Sequence, residues 1–463
     1  MAGGLMQLVA YGAQDVYLTG QPKVTFFQAV YKRHTNFAME NIQQTVNGTP
    51  SNGGRVSVTI ARNGDLVGDM YVRLQAPTGQ SLVPTSTNTG APDTCWLAER
   101  ALVDIELTIG GQRIDKHYQT WWRLYAELFL SESEKINYGK MTSAANPTID
   151  TTNPSSVYLP LLFFFNRNPG LYLPLIALQY HEVRLDFDLT NYFTSYFGAS
   201  SPVFEVWANY VYLDTEERRR FAQKGHEYLI EQVQHTGGDS ITATAGGAPL
   251  SASSAQTIRL SFNHPVKELI WCYTNTAATA NNSLWNFSTS CANVQVTCAT
   301  SPHLALGSMP HTVGAPRMSF GNVCVTATNS TLTSNTTASA MWVEEGSSGQ
   351  TNATGVEVGP LYNFKLVLNG QDRFKEQAGK YFNQYQPYQY HSGVPYPGIY
   401  AYSFALQPEE HQPTGTCNFS RIDNAQVAIN MKGNYTTGLQ KMFAINYNIL
   451  RIQSGMGGLA FSN

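Results

Sequence analysis

Charge is the scarcest thing in this chain: Asp, Glu, Lys and Arg together supply only 13% of its 463 residues, about half the share usual in a soluble protein. Its polar surface must therefore come from Asn, Gln, Thr, Ser and Tyr. Such a surface suits a protein whose exterior is largely taken up by neighbours, because dense like charge opposes close packing. Basic arms are missing too. Residues 1–22 hold no Lys or Arg, residues 454–463 are neutral, and the net charge is −3 with a pI near 6.4. A partner as polyanionic as nucleic acid needs many phosphate neutralisers, so no direct nucleic-acid contact is expected.

Long hydrophobic runs are lacking. Residues 159–165 are apolar but far too few to cross a bilayer. Met1-Ala2-Gly3-Gly4 opens no basic, then apolar, secretory leader, so manufacture in the cytoplasm is expected. Cys95, Cys272, Cys291, Cys298, Cys324 and Cys417 form neither CxxC nor zinc spacing and read as free thiols. A loop disulfide between Cys291 and Cys298 is the alternative left open. The motifs of catalysis are absent as well. There is no P-loop, GxSxG elbow or HExxH, since His181-Glu182 continues Val183-Arg184-Leu185. The ten histidines are scattered, and no catalytic residue, cofactor or metal ligand is assigned. His181 reads as a hydrogen-bonded structural histidine. Asp186 and Asp188 share one sheet face and read as solvent-exposed or inter-chain pairing groups rather than a glycosidase pair. Gly455-Met456-Gly457-Gly458 reads as a flexible tail.

What the chain does have is repetition. Glu40-Asn41-Ile42-Gln43 returns as Glu231-Gln232-Val233-Gln234, and Thr108-Ile109-Gly110-Gly111-Gln112 as Val367-Leu368-Asn369-Gly370-Gln371. Ile176-Ala177-Leu178-Gln179 returns as Phe404-Ala405-Leu406-Gln407, and Ala208-Asn209-Tyr210-Val211-Tyr212-Leu213 as Ile445-Asn446-Tyr447-Asn448-Ile449-Leu450. Four matches in collinear order imply two copies of one fold joined near residue 215. The second copy is longer between its first two phrases, and the excess coincides with residues 274–355, rich in Thr, Ser, Asn, Ala and Gly. An insertion of that size belongs in a surface loop.

Both copies alternate apolar and polar residues with period two, as in Arg55-Val56-Ser57-Val58-Thr59-Ile60 and Ala425-Gln426-Val427-Ala428-Ile429-Asn430. Such strands between long loops predict antiparallel sandwiches of Greek-key or jelly-roll topology. Residues 118–130 carry Trp121, Leu124, Tyr125 and Leu128 on one helical stripe. Asp214 with Glu217 forms a capping-box pattern at the head of a short charged helix, read as the hinge between copies. Its Arg218-Arg219-Arg220 reads as a solvated or salt-bridging face.

Two aromatic stretches with little charge, around Phe163-Phe164-Phe165 and Tyr381-Phe382-Asn383-Gln384-Tyr385-Gln386-Pro387-Tyr388-Gln389-Tyr390, read as buried subunit contacts. A stacking surface for sugars or bases is the rival reading. Eight N-x-S/T sequons occur. Asn281, Asn286, Asn329, Asn335 and Asn352 lie in the 274–355 block as candidate glycosylation positions, although an Asn/Ser/Thr-rich composition generates sequons by itself.

Longer phrases carry a family likeness. Leu8-Val9-Ala10-Tyr11-Gly12-Ala13-Gln14-Asp15-Val16-Tyr17-Leu18-Thr19-Gly20, Leu173-Pro174-Leu175-Ile176-Ala177-Leu178-Gln179-Tyr180-His181-Glu182, His264-Pro265-Val266-Lys267-Glu268-Leu269 and Gly415-Thr416-Cys417-Asn418-Phe419-Ser420-Arg421 resemble the major capsid proteins of nucleocytoplasmic large DNA viruses, in the style of algal and amoebal giant viruses. The likeness spans nearly the whole chain and leaves out mainly residues 274–355. It implies an all-β double jelly roll: two eight-stranded antiparallel sandwiches in tandem, with short helices and long surface loops. The expected divisions are an N-terminal segment 1–25, a first jelly roll 26–214, a linker helix 215–226 and a second jelly roll 227–463.

It further implies a homotrimer forming a pseudo-hexagonal capsomer, and a lattice of capsomers around an internal membrane. Minor capsid and penton proteins are the expected partners, and the host cytoplasm the site of assembly. Family members can carry glycans at asparagines outside sequons. On this reading the candidate interface residues are Tyr11, Asp15, Tyr17, Phe163, Phe164, Arg218, Arg219, Tyr381, Tyr385, Tyr388 and Tyr390. A jelly-roll carbohydrate-binding or host-attachment protein, engaging host-surface glycans through residues 274–355, is the alternative class; a jelly-roll enzyme is the third.

Overall fold

Alternating strands build every layer of the computed structural model, which describes residues 12–14, 27, 35–75, 96–142, 156–197, 202–241, 255–275, 287, 359–393, 395, 398–432 and 438–461. The first half contributes β1 (Phe37–Gln44), β2 (Val46–Asn47), β3 (Arg55–Thr59), β4 (Leu66–Gln75), β5 (Leu102–Ile109), β6 (Gln112–Tyr118), β7 (Ser156–Pro160), β8 (Leu173–Pro174), β9 (Val183–Leu189) and β10 (Val203–Leu213). The second contributes β11 (His226–Ile241), β12 (Gln256–Leu260), β13 (Pro265–Asn275), β14 (Leu361–Leu368), β15 (Gln371–Asp372), β16 (Gln377–Ala378), β17 (Ile399–Ser403), β18 (Cys417–Asn418), β19 (Ala425–Met431), β20 (Gly438–Gln453) and β21 (Met456–Leu459).

The strand orders state the duplication. Sheet β1-β10-β4-β7 faces β2-β3-β9-β5-β6 in the first sandwich, and β11-β20-β13-β17 faces β12-β19-β14-β15 in the second, four main strands to a sheet, with the short β2, β8, β16, β18 and β21 added at their margins. Each half is an eight-stranded jelly roll with a non-consecutive, crossed-over strand order. Three of the four repeated phrases fall on equivalent elements: β1 and β11, the β5–β6 and β14–β15 turns, and β10 and β20; the third does not, since 176–179 follow β8 while 404–407 precede its counterpart β18. Register follows the apolar positions. Val58 pairs with Leu185 and Val56 with Phe187, while Leu107 and Ile105 flank the same two residues from β5, so one face of the sheet is continuous core.

The turn phrase has a backbone reason. Ile109 pairs with Gln112 and Leu368 with Gln371, leaving two-residue loops. Gly110-Gly111 and Asn369-Gly370 all have positive φ, between 49° and 80°. That is the type I′ hairpin turn, which requires residues tolerant of the left-handed region at both positions.

Two readings made from sequence are corrected here. Gly455-Met456-Gly457-Gly458 is no tail: β21 pairs with β20 after a similar turn at Ser454 and Gly455, with φ 53° and 80°. The charged helix, Thr215–Gln223, is capped in another way than expected. Asp214 accepts the Thr215 N–H at 2.7 Å, so the box with Glu217 does not form. Arg218 reaches the buried Asp65 at 2.9 Å, and Asp65 also accepts the Leu213 N–H. Residues 38–463 form one compact unit, and residues 1–37 a second, small one.

The single unit arises because sheet β11-β20-β13-β17 is a wall with core on both sides. Trp271, Tyr273, Met442 and Ala444 belong to the core of the second sandwich. Ile270, Cys272, Ile399, Ala401 and Phe443 belong to the core of the first. All five residues of β17 are buried, so alternation disappears where both faces are covered.

Candidate assembly interface

The contact between the sandwiches is the template from which any contact between chains is read. It rests on the helix Gln119–Phe129, which leaves β6 and presents two faces. Trp122, Leu124 and Leu128 are fully buried in the first core. On the other face, Trp121 lies 5.7 Å from Phe443 of β20. Tyr118 meets His235 edge-on at 4.9 Å, and His235 stacks on Phe443 at 4.4 Å. Lys441 donates to the Thr120 hydroxyl at 3.1 Å, and the Val233 N–H to Asp115 at 3.0 Å. Aromatic rings supply area, while the few polar contacts fix register.

Inside this helix runs a buried ionic network. Arg123 lies over the Trp96 ring at 3.8 Å and reaches Glu99 at 3.6 Å and Glu127 at 3.1 Å. Lys135 reaches Glu127 at 3.3 Å, and the Tyr138 hydroxyl donates to Glu99 at 2.7 Å. Burial pushes the Glu99 carboxyl up, against the pull of Arg123. The network holds the helix in place from within.

A second network closes the seam. Gly393 donates its N–H to Leu128 O at 2.9 Å, and Phe129 meets His391 edge-on at 5.1 Å. His391 is hydrogen-bonded to Glu268, and Glu409 lies 3.5 Å from its other ring nitrogen. Burial alone would lower the His391 pKa, but the Glu268 and Glu409 carboxylates raise it to about 9. Glu231 meets Lys267 at 2.5 Å and Arg167 of the first copy at 3.0 Å. Burial works to raise its pKa, yet His411, Lys267 and Arg167 together hold it down at about 2. His181 is structural, as its position suggested: its Nδ1 meets the Gly457 carbonyl at 2.8 Å.

One surface repeats the template with no partner among the described residues. Residues 381–390 follow β16 as the Gln119–Phe129 helix follows β6. They run as a wide turn of π-helix, Tyr381–Tyr385, into a short α-helix, Gln386–Tyr390. Phe382 is fully buried against Trp271 and Phe364, and Asn383 donates to Ile399 O at 2.9 Å. Tyr381 stacks on Tyr385 at 5.3 Å. Tyr385 is 54% and Tyr388 84% exposed. With Lys380 and Gln384 these tyrosines line an open groove of about 490 Å³.

The other expected site residues fare differently. Phe163 and Phe164 are corrected: they are 0% and 2% exposed, with Phe163 stacked on His117 at 4.4 Å. An apolar run of this kind serves the chain's own core and reaches no second chain. Asp186 and Asp188 are corrected too. Their partners are Arg184 and Arg55 within the chain, at 2.7 and 2.6 Å. Arg218 and Arg219 are exposed on the linker helix, apart from the tyrosines. Tyr11, Asp15, Tyr17, Asn281, Asn286, Asn329, Asn335 and Asn352 lie outside the described residues, as do four of the cysteines; Cys272 and Cys417 are free thiols. No cluster of metal-binding side chains occurs among the described residues. Sequence reading missed Tyr118, His235 and Phe443. The available signal was the i, i+4 aromatic pair Trp121/Tyr125 returning as Tyr381/Tyr385.

Comparison with known proteins agrees with the topology. Residues 25–214 match the family described as major capsid protein N-terminus, and residues 217–458 the family described as large eukaryotic DNA virus major capsid protein. The major capsid protein of Paramecium bursaria Chlorella virus 1 is 43% identical, with 100% of each chain covered. Among solved structures, the PBCV-1 virus capsid superposes with a TM-score of 0.72 at 38% identity, covering 95% of this chain and 100% of that one. The Faustovirus major capsid protein shares the fold, with a TM-score of 0.62 at 11% identity over 97% of this chain and 96% of that one.

Proposed function

The chain belongs to the major capsid protein family of large eukaryotic DNA viruses, and from that premise we propose that three copies stand side by side as one capsomer of an icosahedral shell. It is a structural protein of the virion and not an enzyme. The observation that carries the trimer is the two-sided sheet. The outer face of β11-β20-β13-β17 is already buried against a neighbouring sandwich of the same fold, so lateral association of sandwiches is what this fold does. Three chains bring six sandwiches, and a closed ring removes the exposed sheet edges that otherwise invite aggregation.

The working division is jelly rolls at 26–214 and 227–463, linked by 215–226. Residues 1–25, with Tyr11, Asp15 and Tyr17, run beneath the capsomer towards neighbours, minor capsid proteins and penton proteins, on the side of an internal membrane. Residues 274–355 crown the outer surface. Assembly takes place in the host cytoplasm. Poverty of charge supports lattice packing.

Light scattering on purified protein across a dilution series tests the reading. A stable mass of three times 51.1 kDa is expected. A monomer at every concentration overturns it.

A further inference from the structure

We infer that the tyrosine groove of one chain receives the outer face of the first-copy sheet of the next chain, centred on Trp207, so that the contact between Trp121 and Phe443 within one chain recurs between chains. This deepens the side-by-side assembly proposed above and rests on it.

Strand register supplies the correspondence: Val67 pairs with Tyr210 and with Leu173 of β8, and Val266 with Asn446 and with Cys417 of β18, which sets Tyr210 on Asn446, one residue off the repeated phrase. In the second copy, β20 pairs with β13 so that Phe443 lies opposite Ile270 and Lys441 opposite Cys272. In the first copy, β10 pairs with β4 so that Trp207 lies opposite Tyr71 and Glu205 opposite Arg73. The two sheets share one strand order. Trp207 therefore occupies the place of Phe443, and Glu205 that of Lys441. On the receiving side, Trp122 and Phe382 are the fully buried anchors of their segments. Aligning them sets Trp121 on Tyr381, Tyr125 on Tyr385 and Thr120 on Lys380.

Chemistry agrees with the alignment. The face around Trp207 is half-buried in the single chain and carries aromatics and an arginine, the composition of an interface that meets water before assembly. Arg73 and Glu205 pair at 3.0 Å, and the Trp207 indole N–H donates to Glu205 at 3.0 Å, so its polar groups are satisfied without a partner. The equivalent face of the second copy, permanently covered, sets Ile270, Cys272, Ile399, Ala401 and Phe443 around the single Lys441–Thr120 contact. Inside the chain Lys441 donates to Thr120. Between chains the same two places hold Glu205 and Lys380, opposite charges where the transferred contact needs an attraction. The groove of about 490 Å³ beside Tyr381, Tyr385 and Tyr388 is the space for the indole.

Charge exchange in the full chain tests the placement. Lys380→Glu is expected to raise the concentration at which trimers dissociate about tenfold or more, and Lys380→Glu combined with Glu205→Lys to recover most of that loss. Tyr388→Ala, on a side chain 84% exposed in the chain, is expected to weaken trimers without shifting the unfolding of the monomer. Wild-type trimers with all variants unchanged overturn the placement and leave the trimer standing. A double variant no better than Lys380→Glu also overturns the placement. A wild-type monomer at every concentration overturns placement and trimer together.

Discussion

The guanidinium of Arg123 lies 3.8 Å from the centre of the Trp96 ring while also facing Glu99 and Glu127, all of it sealed from water inside the first sandwich. A planar cation can stack and pair at once, which an ammonium cannot do as well. Arg123→Ala leaves two carboxylates with one fewer cation, and an expected loss of about 3–5 kcal/mol of stability. Arg123→Lys recovers only part of it. Denaturant unfolding of both variants measures the difference, and a fully restored Lys variant contradicts the stacking argument.

Stability also depends on pH through His391. Its pKa is raised from 6.5 to about 9 in the folded chain, so protonation favours the fold. The contribution is fully present below about pH 6.5 and disappears as pH rises through 9, amounting to about 3 kcal/mol. Unfolding midpoints measured from pH 6 to 10 are expected to fall over this window, and to fall less in His391→Gln. Equal slopes in the two proteins remove His391 from the account.

Gly393 sits where the second copy meets the end of the Gln119–Phe129 helix, its N–H on Leu128 O. A Cβ there would stand 2.4 Å from Glu127 O and 2.6 Å from Leu128 O, both backbone atoms that cannot step aside. Gly393→Ala is expected to cost about 1–3 kcal/mol. Hydrogen exchange in the Gln119–Phe129 helix should speed up more than exchange in β12 or β19. Uniform acceleration across both sandwiches argues against a local wedge.

Removing residues 1–20 separates capsomer from shell. Trimers are expected to keep their mass in light scattering, while assembly into closed shells with the other virion proteins fails by electron microscopy. Loss of the trimer on truncation contradicts the role assigned to that segment.

Much of the fold was legible because strands covered on one face must alternate, and turns such as Asn369-Gly370 have few chemical solutions. The helix at Gln119–Phe129 announced its stripe. What lay beyond it was not legible: Trp121 of that stripe meets Phe443 of the second copy, while Arg123 and Glu127 are sealed inside the first sandwich. Phe163 and Phe164 misled for the same reason: an apolar run reads alike whether its cover is its own chain or another. The histidines looked scattered along the chain, yet the sheets bring His391 and His411 beside Glu268 and Glu231. Side chains more than a hundred positions apart meet only through topology.

The two-sided sheet also bears on the order in which the molecule is made. A ribosome releases the N-terminal half first, and domains fold as they emerge. By the time β13, β17 and β20 appear, the helix that will cover Ile270 and Phe443 is already standing. The half synthesised last thus has its most apolar wall covered on arrival, and the half synthesised first waits with its Trp207 face, whose charges are already matched. Reversing the two copies by circular permutation would turn that sequence around, leaving a bare hydrophobic wall for as long as translation of the other half takes.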